Sequence, residues 1–93
     1  MSIAIVGGNE CMERRYLDLC KQFNCDAKIF TKPKGLKSKI GNPDVLILFT
    51  NTVSHKMTRI ALAALEENTT IIRCPSSSVS SLKDVLSNHF VNA

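Results

Sequence analysis

Ninety-three residues with a formal net charge of +4, 44% hydrophobic and 22% charged, describe an ordinary folded, soluble chain. No run approaches the ~18–20 apolar residues that cross a bilayer, so a membrane span is excluded. The length fits a single α/β domain over residues 1–93, large enough to bury a core but small enough that an exposed edge invites a partner.

The chain opens on a short apolar strand, Ile3-Ala4-Ile5-Val6, stopped by Gly7-Gly8. It lacks the basic start and long apolar stretch of a signal peptide, and the expected location is the cytoplasm of a bacterium. Met12, Tyr16, Leu19, Cys20 and Phe23 then recur at helical spacing, with Asn9 as the expected N-cap and Asn24 as the stop. Cys25 to Thr31 alternates, placing Ala27 and Ile29 on one face and Lys28 and Phe30 on the other. Pro33 and Gly35 lead to a brief helix bearing Leu36 and Ile40, closed by Gly41-Asn42-Pro43; proline and glycine are the punctuation expected there. Val45 to Phe49 is an unbroken apolar strand, and the next helix presents Val53, Met57, Ile60, Ala61, Ala64 and Leu65 on one stripe. A fourth strand, Thr69 to Cys74, is followed by Pro75 and three serines, then by a helix with Val79, Leu82, Val85, Leu86 and Phe90 inward.

Strict alternation of strand and helix predicts a parallel sheet between two helical layers, a three-layer α/β sandwich. Strands buried on both faces read as continuous hydrophobic runs, which only the first and third do here. They belong in the centre, so the expected order is 2-1-3-4, the flavodoxin-like arrangement. Chain direction then reverses between strands 1 and 3, and ligands bind in the crevice beyond the C-terminal ends of such strands. The residues delivered there are Gly7, Gly8, Asn9, Thr50, Asn51, Ser54 and His55, joined by Ser76, Ser77 and Ser78.

Glycines let backbone approach a ligand closely and leave amides free for an anion, but they serve a tight turn equally well. No G-x-G-x-x-G or P-loop pattern is present. His55, opening a helix, is suited to remain neutral as donor, base or metal ligand; the alternative is an imidazole with no chemical role. Serine before a helix is first a capping residue. His89 reads as surface decoration. The four cysteines, Cys11, Cys20, Cys25 and Cys74, contain no Cys-x-x-Cys pair and are expected to be reduced, mostly as small core residues. Cys11, placed in the first turn of the first helix, is the thiol with nucleophilic potential, although the phosphatase spacing Cys-x5-Arg fails at Leu17. A metal centre from Cys11, His55 and Cys74 has no local ligand spacing behind it, so no metal is expected and no cofactor is specified. Lys28, Lys32, Lys34, Lys37 and Lys39 form a locally basic segment with only Phe30 interleaved, which suits a small anion or an acidic partner; nucleic acid is not expected.

Ile3-Ala4-Ile5-Val6-Gly7-Gly8, Asp44-Val45-Leu46, Val53-Ser54-His55 and the turn Ser76-Ser77-Ser78 together resemble a small bacterial family, domain of unknown function 2325 (DUF2325), over nearly the whole chain. The resemblance implies a cytoplasmic α/β protein whose shared polar residues, Gly7, Gly8, Ser54 and His55, gather in the crevice that the topology indicates. The expected role is a ligand-binding or regulatory module. The alternatives are a small enzyme using His55 as base or Cys11 as nucleophile, and a structural homodimer. A homodimer is expected in any case, because the last helix and Val91 carry a wide apolar stripe.

Overall fold

The computed structural model describes residues 1–66 and 68–89. Four strands, β1 (Ser2–Val6), β2 (Asp26–Phe30), β3 (Val45–Phe49) and β4 (Thr70–Cys74), alternate with four helices, α1 (Glu13–Gln22), α2 (Leu36–Lys39), α3 (His55–Ala64) and α4 (Val79–His89). All strand pairs are parallel and the order is β2-β1-β3-β4, as the burial argument predicts. Every residue of β3 is buried, as are four of the five in β1, whereas β2 and β4 are each exposed along one edge. An uninterrupted apolar strand is stable only where helices cover both its faces, and that requirement puts β3 inside.

The two faces carry separate cores. On one, Ile3, Ile5, Ile47, Phe49 and Ile72 pack against Tyr16, Leu19 and Cys20 of α1 and Leu82 and Leu86 of α4. On the other, Ala4, Val6, Leu46 and Leu48 meet Leu36 and Ile40 at α2 and Met57 and Ala61 of α3. Alternate strand residues point to opposite layers, so a one-residue slip would exchange the two cores.

Both ends of α1 are informative. Asn24 stands at its C-terminal stop with φ of 58°, its N–H donates to Lys21 O, and the Cys25 N–H donates to Cys20 O. Those bonds form a Schellman motif with asparagine in place of glycine. The start differs from expectation. Asn9 makes no side-chain cap and instead precedes one 3-10 turn, Glu10–Met12, with α1 beginning only at Glu13. Two consecutive glycines with positive φ turn the chain sharply after β1, and the tighter turn takes up the remaining offset before the regular helix begins. Cys11 therefore sits on that turn and not in the first turn of α1.

Ser54 caps α3 as expected, its hydroxyl accepting from the Met57 N–H, and His55 is the first helical residue. In α4, Leu82 and Leu86 are buried, with Val79 and Val85 packed against the same core. The stripe assigned to a partner is thus largely used within the molecule; Phe90 and Val91 lie outside the described residues. Among the described residues, no helix is long and apolar enough to cross a membrane.

Candidate functional site

Three loops meet at the C-terminal edge of the sheet. The first follows β1: Gly7, still in register, donates its N–H to Phe30 O, and Gly8 donates to Thr52 Oγ1 at 2.7 Å. The second follows β3, where Thr50 donates both its backbone N–H and its hydroxyl to Cys74 O. The third, after β4, is held by Tyr16, whose hydroxyl donates to Ser77 O at 2.6 Å, and by a longer bond of 3.5 Å from Asn51 Nδ2 to Ser77 Oγ. Segments 44 and 61 residues apart in sequence, two loops in the first case and α1 with a loop in the second, are therefore fastened to one another directly.

Thr52 and Tyr16 organise this region, and neither is among the residues singled out from sequence. Thr52 accepts from Gly8 while its own hydroxyl donates to Phe49 O at 3.3 Å, so a short side chain closes the loop after β1 onto the one after β3. Tyr16 occupies a helical core position by spacing, and its ring is fully buried 5.2 Å from that of Phe49. A buried tyrosine hydroxyl needs a partner. The need is visible in sequence, but the partner, 61 residues away, is not. Burial also raises the Tyr16 pKa above its ordinary value, so the hydroxyl remains a donor at physiological pH.

The serines divide by role. Ser54 caps α3, and Ser78 accepts from the Ser81 N–H at 3.1 Å at the start of α4. Ser76 Oγ bonds to Ser78 Oγ, and Ser77 supplies the acceptors just described. One amide at each of these two helix N-termini is thereby taken, which reduces the anion-binding capacity expected of them. Asn9, Thr50, Asn51 and His55 are solvent-exposed, and His55 has no hydrogen-bond partner among the described residues. The surface of the crevice is therefore carboxamide, hydroxyl and imidazole, carried on loops whose backbones are fixed.

The thiols have separate fates. Cys11 is exposed, while Cys20, Cys25 and Cys74 are buried, and all four are free. Cys74 donates its S–H to Ser76 O at 3.0 Å. Burial, reinforced by neighbouring Cys25, pushes the Cys20 thiol up to about 11. Among the described residues, no group of three or more His, Cys, Asp or Glu side chains is arranged to hold a metal ion; Cys11, His55 and Cys74 do not form one.

The basic segment lies along β2 and α2. Lys32 pairs with Glu10 at 2.6 Å, an exposed contact, and its hydrogen bond to that carboxylate raises its pKa. Lys28 instead donates to Lys39 O at 3.2 Å. At the opposite end of the sheet, Asp44 accepts from the Ser2 N–H and pins the first strand to the third.

No curated protein and no solved structure matches the chain. The family model described as an uncharacterized protein conserved in bacteria (DUF2325) does match, over residues 2–89. That span contains all four strands, the loops that meet at the crevice and the helices on both faces, and the chain belongs to this family.

Proposed function

We propose that the protein is a ligand-binding or regulatory module of the bacterial cytoplasm, recognising a small anion in the crevice beyond β1 and β3. The observation that carries this reading is a set of three bonds, two that tie loops to each other, Gly8 to Thr52 and Asn51 to Ser77, and one that ties the loop after β4 to α1, Tyr16 to Ser77. Loops fixed to each other before a ligand arrives lose little entropy on binding. The side chains they leave exposed, Asn9, Asn51 and His55, provide donors suited to carboxylate or phosphate oxygens. The four free thiols accord with a reducing compartment.

The test is an amide chemical-shift titration with inorganic phosphate and, separately, with a small dicarboxylate. Saturable shifts clustered at residues 8–9, 50–55 and 76–78 are expected. His55→Ala should abolish or markedly weaken them while leaving Tm within a few degrees, since an exposed side chain leaves no cavity when removed. A titration without saturable shifts in these loops would end the anion reading. A large loss of Tm in His55→Ala would make the imidazole structural.

A further inference from the structure

We infer that the open edge of β2 is a docking strand for an extended acidic peptide segment, which adds to the sheet as a fifth strand with its apolar side chains toward α1 and its acidic side chains toward α2. This surface is distinct from the crevice and does not depend on the anion reading.

The backbone supplies the first argument. Asp26 N–H donates to Met1 O, and Phe30 O accepts from Gly7 N–H, so the even-numbered residues of β2 turn their backbone groups toward β1. By alternation, Ala27 and Ile29 turn theirs outward, where no protein strand meets them. Unpaired edge groups of this kind are the template for strand addition.

The edge also runs along two adjoining clefts of about 530 and 580 Å³, which share Glu13, Ile29, Phe30 and Lys39. The two sides of the first cleft differ chemically. Toward α1 stand Ala27, Ile29 and Leu17, the last a large apolar side chain that is 37% exposed, together with Glu13, whose carboxylate accepts from the Thr31 hydroxyl. Toward α2 stand Lys28 and Lys39, and Lys34 lines the adjoining cleft. None of these three lysines has an acidic partner among the described residues.

Charge selects the occupant. A second copy paired edge to edge across a two-fold axis would bring the Lys28 and Lys39 side chains of both protomers together, whereas acidic side chains would neutralise them. Side chains of a strand alternate between faces, so the matching segment alternates apolar and acidic residues. Lys28 is an ordinary gatekeeper against aggregation only if its ammonium projects across the edge. Here the ammonium instead donates to Lys39 O at the end of α2.

The test uses the full chain and a short soluble peptide alternating valine and glutamate, with a valine and lysine peptide as control. Saturable amide shifts confined to residues 13–17, 26–31 and 38–41 are expected for the glutamate peptide, weakening as salt is added. Ala27→Pro removes one outward N–H without touching the ladder to β1, a position where an edge strand tolerates proline; it should weaken binding by about tenfold or more. Because that variant is able to disturb the strand itself, a second one is needed. Lys28→Glu combined with Lys39→Glu should reverse the preference in favour of the lysine peptide, and His55→Ala should leave peptide binding unchanged. Equal binding of both peptides by the native chain would overturn the proposal. So would shifts confined to the crevice, or an edge already occupied by a second copy that Ala27→Pro releases.

Discussion

Gly8 shows how one missing side chain permits the arrangement around it. A Cβ there would stand 2.9 Å from Tyr16 Cε2 and 3.0 Å from its hydroxyl, on a backbone with φ of +84°. Gly8→Ala is therefore expected to cost about 1–3 kcal/mol, from left-handed strain together with displacement of the tyrosine. Tyr16→Phe keeps the ring against Phe49 but leaves the Ser77 carbonyl without its donor. Its expected cost is about 1–2 kcal/mol, and thermal unfolding should record a fall of about 4–8 °C for each kcal/mol lost in a chain of this size. An unchanged Tm in Tyr16→Phe would show the bond to be dispensable. Cys20 supplies a pH-dependent signature. Its folded pKa is raised from 9.0 to about 11, so between those values the unfolded thiol ionises while the folded one stays protonated. The contribution is fully present below pH 9.0 and lost as pH rises toward about 11. Tm should decline across that window by less in Cys20→Ala than in the native chain, and Cys11 should react with a disulfide reagent long before Cys20 does.

At the scale of elements, local rules worked wherever a segment's own chemistry decided its end. Asn24 stops α1 and Ser54 starts α3 because a left-handed asparagine and a capping serine act on backbone within a few residues. They failed at the start of α1. There Asn9 has capping chemistry, but the geometry is set by the two glycines and by the bond from Gly8 to Thr52, a residue on another element. Thr52→Val tests that tie, removing the acceptor while preserving size. It should accelerate hydrogen exchange at Gly8 by opening the loop after β1, at a cost of about 1 kcal/mol. Unaltered exchange at Gly8 would mean that the glycine turn holds itself.

For the whole molecule, the question left by the packing is what covers the remaining apolar surface. The described apolar residues of α4 are largely used on its own core, so the homodimer we propose would have to draw on surface elsewhere. Ile71, 41% exposed on the β4 edge, lies on the side of the sheet away from the lysines. A two-fold contact there would bury it and pair one open edge, and closed two-fold dimers are the commonest solution to such a surface. Sedimentation equilibrium at micromolar concentration should return about twice the 10.3 kDa chain mass, and Ile71→Glu should return it to one. A native chain that sediments at 10.3 kDa would show that the monomer needs no partner.

The strand order was legible in the amino-acid sequence, and the proposed site beyond the strand ends follows from the same argument. An apolar run such as Val45 to Phe49 has only one stable location, and a parallel α/β sheet then places its binding loops by topology. Gly7, Gly8, Ser54 and His55 followed from that argument, since each lies beside a strand end or helix start that the sequence itself marks. Tertiary structure alone decided the partnerships: which hydroxyl receives the Gly8 amide, and which carbonyl the Tyr16 hydroxyl finds. It likewise decided that the Lys28 ammonium donates to Lys39 O. Burial preference is a property of each residue and survives in the one-dimensional pattern. A hydrogen bond between residues 44 or 61 positions apart is a property of two segments brought together by the sheet, and no local pattern records it.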